Sequence, residues 1–102
     1  MKAFHIQNNV MNSIYTGADE QEALEEYAYD LGYREIMGQT AYERLTVEVG
    51  PVESIKEVDI KDIRDKMIKR EEAGDWDGLE EIEGYYGTRL DTIIEIINLL
   101  DK

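Results

Sequence analysis

The chain has 102 residues, 24 of them acidic against 11 basic, for a formal net charge of −13. One domain is expected at this length, and 42% hydrophobic residues suffice for a modest core and are too many for a disordered acidic tail. The absence of cysteine excludes a disulfide framework, thiolate metal sites and a cysteine nucleophile, and the charge disfavours direct contact with DNA, RNA or anionic lipid, whose phosphates are bound by Lys and Arg.

Lys2 to Gln7 alternates, with Phe4 and Ile6 on one face and Ala3, His5 and Gln7 on the other, the pattern of a half-buried strand. Asn8-Asn9 suits a hairpin turn, because Asn tolerates positive φ. Val10 to Thr16 reads as a second strand, its inward set either Val10 with Ile14 or Met11 with Tyr15. A helix follows. Asp19 with Glu22 has the form of a capping box, Leu24, Tyr27, Ala28 and Leu31 keep the spacing of one helix face, and Gly32 supplies the stop. Glu20, Glu22, Glu25, Glu26 and Asp30 lie on its outer face with no Lys or Arg nearby.

After Gly32 a short helical turn over Arg34 to Met37, ended by Gly38, is expected. Leu45, Val47 and Val49 then alternate with Arg44, Thr46 and Glu48, which predicts a third strand over Tyr42–Val49, ended or bent by Gly50-Pro51 and extended at most through Val52–Val58. Asp59 and Asp62 cap a helix over Ile60–Ala73 with Ile60, Ile63 and Met67 as its stripe, and this segment holds most of the basic residues: Lys61, Arg64, Lys66, Lys69 and Arg70. Asp62 with Lys66 and Asp65 with Lys69 are i, i+4 pairs. The rest predicts two helices, Trp76–Tyr86 and Arg89–Leu100, broken at Gly87, with Thr88 and Asp91 as a fresh cap; one continuous helix is the alternative, opposed by a cost of roughly 1 kcal/mol for each of Gly84 and Gly87.

The predicted fold class is α+β. A small antiparallel β-β-α-β sheet unit (residues 1–58) is joined in a single domain, 1–102, to a helical C-terminal half of two to three helices (59–102). Ile93, Ile94, Ile96, Ile97, Leu99 and Leu100 cover more than one face of the last helix, which places it centrally or in a homodimer. The N-terminus carries no long apolar run, and Ile93 to Leu100 is too short to span a bilayer, so a soluble, cytoplasmic protein is expected.

The chemistry-bearing patterns are thin. His5 is the single histidine, and one His without Cys does not make the common zinc sites. Asp75-Trp76-Asp77-Gly78 opens like a calcium loop, but its Gly comes too early and helix-forming residues follow. Asp59, Asp62 and Asp65 read as surface carboxylates; Gly84-x-x-Gly87 lacks the lysine, the further glycines and the preceding strand of a phosphate loop. No cofactor or metal is expected, and no enzymatic activity.

What remains is acidic surface. Glu22, Glu26 and Asp30 form one ridge with roughly 6 Å between steps, too sparse to imitate a DNA strand with a phosphate about every 3.4 Å. Glu25 and a second run, Glu71, Glu72, Asp75, Asp77, Glu80, Glu81 and Glu83, approach that density if the fold sets them side by side. Tyr85 with Trp76 and Tyr29 would mark a contact surface if exposed, the alternative being partly buried aromatics with a polar tip at the surface. Glu22, Glu25, Glu26, Asp30, Asp75, Asp77, Glu80, Glu81, Glu83 and Tyr85 are therefore the candidate partner-binding residues, and the expected partner is a protein with a basic surface.

The β-β-α pattern ending in Ala28-Tyr29-Asp30-Leu31-Gly32-Tyr33 resembles a type of small bacterial protein common on phages and other mobile elements. The resemblance covers about the first half of the chain and carries over no functional residue. It implies a setting in which small acidic proteins inhibit host defence or act as regulators. The expected function is a non-enzymatic acidic protein-binding module, in its sharper form a DNA-mimic-like inhibitor of a nucleic-acid-binding host defence protein; the alternative is a structural or regulatory module that homodimerises through its C-terminal helices.

Overall fold

In a computed structural model, which describes residues 1–9 and 11–100, the first strand lies at the centre of the sheet. β1 (Lys2–Gln7) pairs antiparallel with β2 (Asn12–Gly17) on one side and with β3 (Ser54–Val58) on the other. Ala3, Phe4, His5 and Ile6 are all buried. The strand is therefore covered on both faces rather than half-buried, and each face of the sheet has its own core.

Phe4 and Ile6 point to a layer formed by α1 (Glu20–Asp30) and α2 (Ala41–Glu48), where Ala23, Tyr27, Ala28, Ala41 and Leu45 close over them. Ala3 points to the opposite layer, α3 (Ile60–Glu72), α4 (Trp76–Tyr86) and α5 (Leu90–Leu100), which contributes Ile63, Met67, Leu79, Ile82, Ile93, Ile96 and Ile97. The ambiguity over β2 has the same origin: Ile14 packs with the C-terminal helices and Tyr15 against α1, so both sets face inward. Val10 lies outside the described residues.

The fold is α+β; the described residues form a three-stranded antiparallel sheet with five helices. The order differs from β-β-α-β because Tyr42–Val49 is no strand. The residues that looked alternating form α2, and Val47, which a strand would bury, is 79% exposed. Two groups hold the helix. Thr40 Oγ1 accepts from the Glu43 N–H at 3.0 Å, a capping residue with Glu three places on. The Glu25 carboxylate, reaching from α1, accepts from the Ala41 and Tyr42 N–H groups at 3.0 and 2.7 Å. The third strand is instead the short stretch Ser54–Val58, read only as an extension.

The expected helical turn at Arg34–Met37 is also replaced. Ile36 and Gln39 exchange backbone hydrogen bonds, and Met37 and Gly38 both have positive φ, the geometry of a type I′ turn. α1 starts and stops as its signals require: the Glu22 N–H donates to Asp19 Oδ1 at 2.9 Å, and the Tyr33 N–H returns to the Ala28 carbonyl at 3.0 Å. Its buried stripe includes Ala23, with Leu24 and Leu31 only half-covered. In α3, Asp59 caps the first turn and Asp62 pairs with Lys66 at 3.1 Å, while Asp65 and Lys69 form no ion pair. α4 and α5 are separate helices divided at Gly87, whose φ is +60°. Thr88 does not cap α5. The Glu83 carboxylate does, accepting from the Leu90 N–H at 2.9 Å.

Candidate functional site

Five of the nine carboxylates named as candidate partner-binding residues make hydrogen bonds within the fold. Glu22 accepts from the Ala18 N–H at 3.0 Å, Glu25 caps α2, Asp75 accepts from the Gly78 N–H at 2.9 Å, and Glu83 caps α5. Asp30 accepts from the Tyr15 hydroxyl at 2.7 Å. Burial, with Asp30 adding to it, pushes the Tyr15 phenol well above its ordinary value, so it remains a hydrogen-bond donor. Glu26, Asp77, Glu80 and Glu81 are exposed and have no hydrogen-bond or ion-pair partner among the described residues.

The two acidic runs do not lie side by side. α1 belongs to the layer over Phe4 and Ile6, whereas α4 lies with Ile14 and Ile63 on the other face of the sheet. There α4 packs along α3, the basic helix. Glu81 shares a cleft of about 260 Å³ with Lys66, Arg70, Tyr85 and Tyr86, and the Arg70 guanidinium donates to the Gly78 carbonyl on α4. Glu81 on α4 thus lies beside two cations of α3. On α1 the cations that reach its layer, Arg34 and Arg44, are engaged in the loop after the helix. Arg34 donates to the Tyr29 and Tyr33 carbonyls and lies 5.3 Å from the Tyr29 ring centroid, and Arg44 donates to the Arg34 carbonyl.

The uncompensated flank of α1 borders the edge of the sheet. Glu26, Tyr29 and Asp30 form one wall of an open groove of about 440 Å³, Ser13 and Tyr15 its floor, and Thr92 of α5 the other wall. Nothing in the sequence shows that α5 reaches this place. It is brought there by Thr88, whose Oγ1 accepts from the Ile14 N–H at 3.0 Å and bonds with Ser13 Oγ at 2.9 Å.

The aromatic set divides. Tyr85 and Trp76 are exposed, Tyr29 is half-buried, and Tyr86 packs against the core. His5 is buried on the sheet face toward α4, its ring centroid 5.1 Å from that of Tyr86 and 5.6 Å from that of Tyr85. Its Nε2 donates to Asn12 Oδ1, and Asn12 Nδ2 donates in turn to the Tyr85 carbonyl at 3.2 Å. Burial lowers the imidazole pKa, the Asn12 bond opposes that, and Lys56 opposite it on β3 lowers it further. Among the described residues no three His, Cys, Asp or Glu side chains are grouped to hold a metal ion, and no helix is long and apolar enough to cross a membrane.

The outer arc of α5 bears on self-association. At 3.6 residues per turn, Asp91, Glu95 and Asn98 lie opposite the buried Ile93 and Ile97, while Ile94 and Leu99 sit at the two borders of the buried stripe. The exposed apolar residues do not line up as a second stripe, and a second copy packed on this arc brings carboxylates together. No family model, curated protein or solved structure matches the chain.

Proposed function

We propose that the protein is a non-enzymatic binding module that engages a basic surface of another protein through the α1 flank. The observation that carries this reading is the segregation of charge: Glu81 of α4 shares a cleft with Lys66 and Arg70 of α3, while among the described residues no cation lines the groove beside Glu26 and Asp30. Exposed complementary charge speeds encounter and selects partners of opposite sign. The sharper form, inhibition of a nucleic-acid-binding defence protein, rests on the sign of the charge and on the phage-protein resemblance. The side-by-side acidic runs that DNA-like density requires are absent, so such an inhibitor acts by charge and shape at one ridge.

The test is neutralisation that spares the fold. Glu22→Gln and Asp30→Asn keep an acceptor oxygen for the bonds to Ala18 and Tyr15, and Glu26→Gln breaks no bond among the described residues. Proteins captured from host lysate by the wild type should be lost by this triple variant, and retained by Glu80→Gln/Glu81→Gln. Capture should fade between about 0.05 M and about 0.5 M salt, where screening of exposed charge becomes strong. Equal capture by the triple variant overturns the reading.

A further inference from the structure

We propose that the groove beside β2 receives an extended, lysine- or arginine-bearing segment of the partner as a fourth strand of the sheet. This rests on the reading above and adds the place and conformation of the bound segment. The Ile14 N–H bonds to Thr88 rather than to β1, so the backbone groups of Asn12, Ile14 and Thr16 point out of the sheet. The Gly87-Thr88 corner covers the start of this edge, at Asn12 and at the Ile14 N–H. Beyond it the Ile14 carbonyl and the Thr16 N–H and carbonyl have no partner among the described residues. An edge of this kind is a template for strand addition.

The walls select the occupant. Successive side chains of an added strand point to opposite faces. One set meets Glu26 and Asp30. The other meets the α5 wall at Thr92, which shares a helix face with Leu99, seven residues on and 51% exposed. Among the described residues no cation lines the groove. The opposite edge of the sheet, β3, carries exposed Lys56, and its Glu57 is already paired with Lys2 of β1, so a basic strand is directed to β2.

The probe is an acetylated, amidated peptide of alternating Lys and Val, compared with the same peptide methylated at alternate backbone nitrogens. The expected result is salt-sensitive binding with amide resonance shifts centred on Ile14 to Gly17, weakened about tenfold or more by N-methylation, which removes the edge hydrogen bonds and keeps the charge. Glu26→Gln/Asp30→Asn should weaken it about fivefold or more, and Glu80→Gln/Glu81→Gln should not. Equal binding of the two peptides overturns the strand and leaves the charged surface standing. No binding at low salt overturns the strand also, and the lysate experiment then decides the broader reading independently.

Discussion

Thr88 Oγ1 accepts a hydrogen bond from the Ile14 N–H at 3.0 Å and so ties the α4–α5 corner to an edge strand from the other end of the chain. The same hydroxyl donates to the Tyr86 carbonyl at 3.1 Å, and Thr88 is 6% exposed. Thr88→Val keeps the shape and removes the acceptor, leaving a buried N–H unpaired. The expected loss is about 1–3 kcal/mol by chemical denaturation, or several degrees of Tm in a chain of this size. Thr88→Ser should recover most of it. If valine is as stable as threonine, the corner is held by packing alone.

The elements that were legible are those whose signals are local. α1 shows its cap, stripe and stop within a few residues of one another. α2 is the opposite case. Its Thr40–Glu43 cap stands in the sequence, but the alternation of Leu45, Val47 and Val49 outweighs it, and the decisive support comes from Glu25 on another helix. His5 is obscured in the same way. A polar residue on an alternating strand reads as solvent-facing, and the tyrosines that cover it lie near the far end of the chain. The acidic ridge of α1 follows from helix geometry; its separation from the α4 run follows only from topology.

Gly84 and Gly87 should respond to alanine in opposite directions. A Cβ on Gly84 meets nothing within 4 Å, and the residue lies inside α4. Gly84→Ala should stabilise by about 0.5–1 kcal/mol through helix propensity. Gly87 has φ +60°, and a Cβ there collides with the Asn12 carbonyl oxygen. Gly87→Ala should lose about 2 kcal/mol or more and detach the corner from β2. Thermal melts of the pair check both signs, and a neutral Gly87→Ala contradicts the close approach.

Glu25 should prove structural rather than partner-binding. It satisfies two N–H groups at the start of α2 from 16 and 17 residues away. Glu25→Ala leaves both to solvent or unpaired, at a cost of about 1–2 kcal/mol. Hydrogen exchange at Ala41 and Tyr42 should accelerate, while exchange in α4 stays unchanged. Glu26→Ala, one residue on and fully outward, should leave stability within about 0.5 kcal/mol. Equal effects of the two would place Glu25 on the open surface.

His5 makes stability depend on pH, with a definite sign. Its folded-state pKa lies below the ordinary value of 6.5, because the ring is buried and Lys56 is near, and the Asn12 bond only partly opposes this. Between the folded and unfolded pKa values the unfolded chain binds more protons, so stability falls as acid is added. The contribution is complete above pH 6.5 and is lost as pH falls through the folded pKa. Among the described residues the groups that act on the ring are Asn12, Lys56, Tyr85 and Tyr86, and none is a carboxylate. His5→Gln keeps a donor toward Asn12 and removes the titration. The difference between wild-type and His5→Gln unfolding curves should therefore slope below pH 6.5 and be flat above it, while carboxylate titrations cancel. A difference that grows in the opposite sense, with the wild type gaining stability in acid, would show that the folded protein stabilises the imidazolium.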